Sequence, residues 1–249
     1  CKCWQQRRNG SIELRVSNAE RVPRRRSGWL RRIARLALLV LAIPFVVALA
    51  YRVVPPPASM LMVLRAAGGA GIDYRWRSAD KISRHLVHAV VVSEDARICQ
   101  HNGVDWDVLQ GLVMEALDED GEPVRGGSTI AMQTAKNLFL WPHRSYVRKG
   151  LEIPISLWID YTWPKRRIIE VYLNIAEWGP GVYGAEAASQ RYFKTSAANL
   201  SVQQAALLAA ALPNPMIYTA GKPGPKLRRR AQRVRARMRG AAAHTKCVK

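Results

Sequence analysis

The longest run of apolar residues lies in the first quarter of the chain, where residues 36–51 carry no charged side chain. If Arg52 extends its charged group to the membrane surface, the run continues, and the sequence predicts a transmembrane helix at residues 36–54. Seven arginines precede it within residues 21–35. By the positive-inside rule, residues 1–35 form a basic cytoplasmic segment and the chain after the helix lies outside. A cleaved signal peptide and a buried core helix are the alternatives, and the long basic lead disfavours both.

After the run, three prolines at 55–57 form a stiff spacer, and apolar residues then recur at helical spacing. The best-defined predicted helices begin at the cap Ser78, span residues 105–117 and 165–174, and follow the capping box of Ser201 and Gln204. No clear period-two run of strand type is present. We therefore predict a mostly α-helical domain at residues 55–221.

Charge is distributed unevenly along the 249 residues, whose net charge is +21. Residues 1–35 have a net charge of +9, residues 222–249 of +11, and the stretch between them is almost neutral. Basic flanks beside an apolar run are typical of contact with anionic lipid headgroups. Nucleic-acid-binding tails are the competing interpretation, but no such motif accompanies the charge. The expected partner is therefore the membrane and not nucleic acid.

The basic C-terminal segment, residues 222–249, contains one apolar stripe at helical spacing, formed by Leu227, Ala231, Val234 and Met238. A helix of this kind either lies on anionic lipid or docks on the core, and the pattern favours neither. The chain has four cysteines, Cys1, Cys3, Cys99 and Cys247. They are too few for a disulfide framework or a zinc site, and whether Cys99 pairs with Cys247 stays open.

The first candidate for chemistry is the acidic pair Glu94 and Asp95, followed by His101 and Asp105. The pair follows the apolar run at residues 89–92, so it lies near a helix C-terminus, where the macrodipole disfavours negative charge. A neighbouring acid and apolar surroundings would raise a carboxyl pKa and suit it to proton transfer. An exposed acidic turn is the simpler alternative.

The second candidate is a glycine loop, Gly126 and Gly127, leading into a predicted helix capped by Ser128. Thr129, Gln133 and Lys136 fall on one face of that helix, and Asn137 follows. A polar stripe ending in lysine, beside a helix N-terminus, is suited to a phosphate-lined groove. A solvated helix face is the alternative, and the spacing does not fit a P-loop.

The third candidate places Arg144, Arg148 and Glu152 one helical turn apart, with Lys149 beside them. Cations paired with a carboxylate on one face could hold a pyrophosphate and position the acid. Viewed alone, a run of ordinary salt bridges explains the pattern equally well. The acids at residues 118–120 stand beside a glycine and are predicted to form an exposed turn, so the sequence offers no cage for a metal ion.

Taken together, these segments resemble the motifs of glycosyltransferase family 51, in particular the monofunctional biosynthetic peptidoglycan transglycosylases. The resemblance covers residues 59–215, and its most specific parts are GGSTIAMQTAKNLFLW, RSYVRKGLE and VYLNIAEWGPGVYGAEAASQRYF. It implies a lysozyme-like, mostly helical domain that links lipid II into glycan strands and releases undecaprenyl pyrophosphate. It also implies a location on the outer, periplasmic face of the bacterial inner membrane, with cell-wall synthesis proteins as further partners.

The resemblance assigns roles to the candidate residues. Glu94 matches the catalytic glutamate, the general base on the acceptor's 4-hydroxyl, and Glu152 matches the acid that supports the site. A divalent cation, Mg²⁺ or Mn²⁺, is implied on the pyrophosphate. The expected substrate-binding residues are Asp95, His101, Gly127, Ser128, Thr129, Gln133, Lys136, Asn137, Arg144, Arg148 and Lys149.

Some positions depart from the family pattern. Ile98 replaces a usual aromatic residue and Met132 a usual glutamine, while Arg167 stands where some members carry an acid, so no catalytic role is assigned to it. Pro154 is expected to kink any helix around it. Three alternative functions are a glycan-cleaving enzyme, a silent membrane scaffold and a penicillin-binding transpeptidase. The basic clusters disfavour the first, the intact motifs the second, and the missing Lys-Thr-Gly the third.

Overall fold

The computed structural model describes residues 27–117, 127–143 and 145–248. Helices account for 65% of the structure and strands for 3%, which confirms the predicted mostly α-helical fold class. The helices are α1 Ser27–Tyr51, α2 Met60–Ala67, α3 Arg84–Glu94, α4 Trp106–Leu117, α5 Ile130–Phe139, α6 Tyr146–Thr162, α7 Lys165–Ile175, α8 Ala185–Phe193, α9 Val202–Ala211, α10 Pro225–Met238 and α11 Ala241–His244. The strands are β1 Asp73–Tyr74, β2 Glu177–Gly179 and β3 Val182–Tyr183.

Helix α1 contains the stretch Trp29–Tyr51, which is long and apolar enough to cross a membrane. Its 23 residues extend about 35 Å, against roughly 30 Å for the hydrocarbon core of a bilayer. The helix starts before the predicted span at 36–54, because the arginines ahead of that span are themselves good helix formers. Residues 1–41 and 42–249 form two compact units, and α1 supplies residues to both.

Within the second unit, the last turns of α1 are held by side chains of α6 and α7. The indole nitrogens of Trp158 and Trp163 donate to the carbonyl oxygens of Phe45 and Ala48, at 2.9 and 2.8 Å. The Arg167 guanidinium donates to the Tyr51 carbonyl oxygen at 2.9 and 3.0 Å. Carbonyls at a helix C-terminus lack partners within the helix and carry partial negative charge, so a cation there stabilises the end. Arg167 therefore has a structural role.

The core of the second unit forms where α3, α5, α7 and α9 pack on one another and on their neighbours. Helix α9 is almost entirely alanine and leucine, and its buried face takes in seven of its ten residues. Its start is fixed by the predicted capping box, since the Ser201 and Gln204 side chains bond reciprocally to the backbone. Small alanine side chains let α3 and α10 approach α9 closely. This packing fixes the end of α3, where Glu94 lies.

The predicted cap at Ser78 is wrong. Ser78 makes no side-chain capping bond and precedes a single 3-10 turn at Ala79–Lys81, after which Ile82 is extended. Helix α3 begins only at Arg84, capped by the Ser83 hydroxyl, which accepts from the His85 backbone N–H at 3.3 Å. Both serines precede apolar residues at helical spacing, and the extended Ile82 decides which of them caps the helix.

A small sheet was not predicted from the sequence. Its strand order is β1-β3-β2, with β1 parallel and β2 antiparallel to β3. The strands have two or three residues, too few to show a period-two pattern. Gly184 follows strand β3 and has φ +86°, a backbone conformation that favours glycine. A Cβ at this position would lie 2.6 Å from the Asn174 carbonyl oxygen, so the turn requires glycine.

The C-terminal segment docks on the core. In α10, Leu227, Ala231 and Val234 are buried against α9 and α3, which decides between the two interpretations of this stripe. A disulfide joins Cys247 to Cys99, with 5.6 Å between their Cα atoms. Helix α6 runs uninterrupted through Pro154. All 17 residues of α6 are therefore helical, although Pro154 has no backbone N–H to donate within the helix.

Candidate active site

Glu94 is the last residue of α3, half-buried, and lines a cavity. Its Oε2 accepts from the Gln133 side-chain amide at 3.0 Å, and its Oε1 accepts from the Ser93 hydroxyl at 3.3 Å. Burial raises the pKa of the Glu94 carboxyl, and these two bonds and the charges of Arg230 and Lys136 only partly offset it. This environment suits the role of proton acceptor, which stays a prediction for Glu94.

The neighbouring Asp95 is turned into the protein. Its Oδ2 accepts from the Ile130 backbone N–H at 2.9 Å, at the N-terminus of α5, and its Oδ1 accepts from His101 Nε2 at 2.9 Å. A carboxylate is favoured at a helix N-terminus. Asp95 and His101 therefore link the end of α3 to the start of α5 and hold Glu94 in place. The other ring nitrogen of His101, Nδ1, is buried and has no hydrogen-bond partner among the described residues.

Tyr172 of α7 orients the amide beside Glu94. Its hydroxyl donates to Gln133 Oε1 at 2.9 Å, which leaves the Gln133 NH₂ group directed at the Glu94 carboxylate. Burial, and then the charges of Glu94 and Asp95, raise the pKa of Tyr172 well above its ordinary value. The phenol consequently stays protonated and remains a donor. Tyr172 is not among the site residues predicted from the sequence, because nothing local shows a partner 39 positions away.

A cationic cluster lies next to this carboxylate. The Lys149 ammonium donates to the Ser128 hydroxyl at 2.9 Å and to Glu152 Oε2 at 3.3 Å, while Arg148 pairs with Glu152 Oε1. Burial, followed by the charges of Arg148 and Lys136, lowers the pKa of Lys149 to about 8. Glu152 is 2% exposed, so it acts by fixing the two cations. The predicted grouping of these residues is thus present.

The glycine loop is arranged differently from its prediction. Thr129, and not Ser128, caps α5, because its Oγ1 accepts from the Met132 backbone N–H at 3.1 Å. The same hydroxyl donates to the Gly103 carbonyl oxygen, so Thr129 is buried and joins two loops. Gly127 has φ +76°, a backbone conformation that favours glycine. This leaves Ser128 free of capping and able to reach Lys149.

Two cavities adjoin the Glu94–Gln133 hydrogen bond. One of about 210 Å³ is lined by the first cluster and the glycine loop, including Glu94, Asp95, Asp105, Gly127, Ser128 and Thr129. The other, of about 350 Å³, is lined by the face of α5 and its neighbours, including Gln133, Lys136, Asn137, Tyr172, Arg65 and Asn214. Since Gln133 bonds to Glu94, the carboxylate stands between two spaces that can each receive part of a substrate.

Some of the remaining predicted site residues lie in the groove, and others lie outside the described residues. Asn137 is buried beside Lys136 and lines the larger cavity. Gly126, Arg144 and the acids at residues 118–120 lie outside the described residues. Arg230 of α10 was not predicted, although its charge acts on Glu94 and its guanidinium lies 5.5 Å from the Tyr218 ring centre. Arg230 is one of six arginines in that helix, so the sequence alone does not distinguish it from the others.

The described residues do not fit direct binding of a metal ion. Nowhere among them do three His, Cys, Asp or Glu side chains come close enough to hold one. Glu152, the acid within the cationic cluster, is already bonded to Arg148 and Lys149.

The sequence comparisons agree with the site. A family model described as Transglycosylase matches residues 63–239, most of the chain. The chain therefore belongs to the transglycosylase family. The match continues through α10, beyond residue 221, where the sequence analysis ended the domain.

Three relatives carry the name biosynthetic peptidoglycan transglycosylase. The protein of Rhodospirillum centenum is 54% identical over 207 residues, covering 83% of this chain and 87% of that protein. That of Caulobacter vibrioides is 48% identical over 211 residues, covering 83% and 91%. That of Agrobacterium fabrum is 48% identical over 219 residues, covering 88% and 96%.

Proposed function

We propose that this chain is a peptidoglycan glycosyltransferase that polymerises lipid II into glycan strands and releases undecaprenyl pyrophosphate. The observation that carries the proposal is the half-buried Glu94 carboxyl, held by Gln133 and exposed to the charge of Lys136. Lys149, which pairs with Glu152 beside Arg148, bonds to Ser128 in the cavity that Glu94 also lines. A base and a cluster of cations side by side suit a reaction that deprotonates a hydroxyl and expels a pyrophosphate.

In the proposed reaction, Glu94 accepts the proton of the acceptor sugar's 4-hydroxyl as its oxygen attacks the donor's anomeric carbon. The C–O bond to the donor pyrophosphate breaks from the opposite face, so the configuration at that carbon is inverted. A raised pKa makes Glu94 a better proton acceptor than an ordinary glutamate. Asp95 and Tyr172 hold it in position.

The leaving pyrophosphate carries the negative charge that develops during the reaction. Lys136, Arg148 and Lys149 are the described residues suited to receive it, with the matching Arg144 as a further candidate by sequence. Glu152 keeps Arg148 and Lys149 apart and in place. Mg²⁺ or Mn²⁺ bound to the pyrophosphate would neutralise more of its charge.

We further propose that α1 is a single-pass anchor in the inner membrane and that the catalytic domain is periplasmic. The apolar stretch Trp29–Tyr51 and the arginines before it support this orientation. The Cys99–Cys247 disulfide supports it independently, since disulfides persist in the periplasm and are rare in the cytoplasm. Impermeant protease added to spheroplasts should digest the domain; protection would place it inside.

The activity is tested with labelled lipid II and a divalent cation, using the detergent-solubilised full chain. Wild type should form lysozyme-sensitive polymer, and Glu94→Gln should lower the rate about 100-fold or more. Asp80→Asn, which neutralises an exposed acid paired with Arg166, is the matched control and should behave as wild type. Shortening of preformed glycan would identify a cleaving enzyme instead, and inertness toward both substrates would favour a scaffold.

A further inference from the structure

Helix α10 carries far more positive charge than its packing needs. Its 14 residues, PKLRRRAQRVRARM, include six arginines, one lysine and no acid. Three apolar residues, Leu227, Ala231 and Val234, hold it against α9 and α3. The remaining faces are cationic along the whole helix.

Four of these cations form one stripe, which we call the α10 ridge: Lys226, Arg229, Arg233 and Arg237. Their spacings of three, four and four residues place them on the same face of the helix, over about 16 Å. All four are exposed, and none makes a hydrogen bond or ion pair with the described part of the chain. Like charges one turn apart repel one another, so the ridge is arranged for an anionic partner and not for helix stability.

The cations on the other edge of α10 differ in this respect. Arg228 donates to the Pro223 carbonyl oxygen at 2.8 Å, and Arg235 donates to Gln203 Oε1 at 2.7 Å. Together with Arg239 they project from the side opposite the ridge. The helix therefore provides two sets of exposed arginines with equal charge on different edges.

The ridge lies beside a cation that acts on Glu94. Arg230 is the neighbour of Arg229 on the groove side, lies over Tyr218, and is close enough to Glu94 for its charge to act on that carboxyl. Helix α10 also packs on α3, which ends at Glu94. An extended molecule that leaves the groove along α10 would pass over the ridge.

Helix α10 is not among the helices that hold the end of α1. The last turns of α1 are held by α6 and α7, through Trp158, Trp163 and Arg167. Helix α10 packs on α9, α3 and α11 instead. The ridge is thus built on different helices from those that hold the end of the anchor.

We propose that the α10 ridge binds the carboxylates of the peptides on the nascent glycan strand and guides the strand away from Glu94. The inference rests on the proposed polymerase activity, since it assigns a path to that reaction's product. Repeated carboxylates along a polymer match a row of cations one turn apart that have no partner in the described part of the chain. Each contact is weak enough to let the strand advance.

Binding is measured without turnover, using the full chain in neutral detergent and fluorescent, lipid-free glycan strands that carry intact peptides. Arg229→Gln/Arg233→Gln/Arg237→Gln should weaken binding about tenfold, because exposed ion pairs contribute a factor of roughly two each. The control Arg228→Gln/Arg235→Gln/Arg239→Gln removes equal charge from the other edge and should bind as wild type. Strands whose carboxylates are converted to amides should bind all three proteins equally weakly.

The same variants are then compared as polymerases. The ridge variant should start chains at the wild-type rate but release shorter strands, while the control makes strands of normal length. Equal weakening in both variants, or undiminished binding of amidated strands, overturns the proposal. So does a ridge variant that binds glycan normally and loses only binding to vesicles containing anionic phospholipid. If wild type binds strands but forms no polymer, the polymerase assignment fails while the binding result stands by itself.

Discussion

The Tyr172 hydroxyl lies 2.9 Å from Gln133 Oε1 and fixes which end of that amide meets Glu94. An amide can turn either its oxygen or its NH₂ toward a neighbour, and only the NH₂ group stabilises a carboxylate. The Glu94 carboxylate can only accept, so Gln133 donates to it at 3.0 Å, and the buried Tyr172 hydroxyl stabilises that orientation by donating to the amide oxygen. A side chain of α7 thereby orients the hydrogen bond to the proposed general base, Glu94.

We expect Tyr172→Phe to lower the polymerisation rate about tenfold, the cost of roughly one hydrogen bond. Without the phenol, Gln133 no longer holds its NH₂ toward Glu94, so the pKa of Glu94 rises further. The acid limb of the pH–rate profile should then move to higher pH. Tyr192→Phe, which removes a bond to the Trp178 carbonyl oxygen, is the control. An unmoved acid limb in Tyr172→Phe would remove the orienting role.

Much of this site follows from local sequence. The pairing of Glu152 with Arg148 and Lys149 needs only helical spacing, and so do the capping box at Ser201 and the apolar stripe of α10. Interactions within four residues are set by helix geometry alone. Such features could be predicted without knowing the fold.

Features that depend on distant parts of the chain could not. Tyr172 and Gln133 are 39 residues apart, and Arg230 reaches Glu94 only because α10 packs on α3. Thr129 was predicted to face the groove, but the carbonyl of Gly103 draws it inward. Each of these outcomes was decided by tertiary packing, which spacing along one helix does not record.

Two groups set the expected pH dependence of the activity. The base form of Glu94 is lost as pH falls through a pKa raised by burial, so activity should decline at a higher pH than for an exposed glutamate. The cationic form of Lys149 is lost as pH rises through about 8. A bell-shaped profile of kcat/KM is therefore expected.

Lys149→Arg tests the alkaline limb. Arginine stays charged throughout this range, so the decline near pH 8 should move to higher pH even if the overall rate is lower. The profile is measured with lipid II at constant ionic strength. An alkaline limb that stays in place would mean that another group, and not Lys149, titrates there.

The disulfide should brace the loop that follows Glu94. It joins two cysteines that are 148 positions apart in the sequence. Close to it, His244 Nδ1–H donates to the Ala96 carbonyl oxygen at 2.7 Å. Reduction should lower the free energy of unfolding by about 2–4 kcal/mol. Thermal unfolding is compared with and without reductant, and Cys247→Ser serves as the control that should no longer respond. A wild type indifferent to reductant would show that the bond contributes nothing to stability.

Arg167 should matter for stability far more than its exposed neighbour Arg166. Its guanidinium bonds to the Tyr51 and Val54 carbonyl oxygens and to Glu170 Oε2, the last at 2.9 Å, and it is 8% exposed. Arg167→Leu leaves the partly buried Glu170 carboxylate and two backbone carbonyls without this partner, so we expect a loss of about 3 kcal/mol. Arg166→Leu breaks only an exposed pair with Asp80 and should cost less than about 1 kcal/mol.

Urea unfolding of the detergent-solubilised chain, followed by tryptophan fluorescence, measures both variants under the same conditions. Arg167→Lys keeps the charge but not the forked geometry, and should fall between wild type and Arg167→Leu. Equal losses in Arg166→Leu and Arg167→Leu would mean that general charge, and not the contacts at the end of α1, accounts for the effect. Comparing the free energies of unfolding of the three variants therefore distinguishes two explanations. One is the set of bonds that Arg167 makes to the end of α1, and the other is the general positive charge of α7.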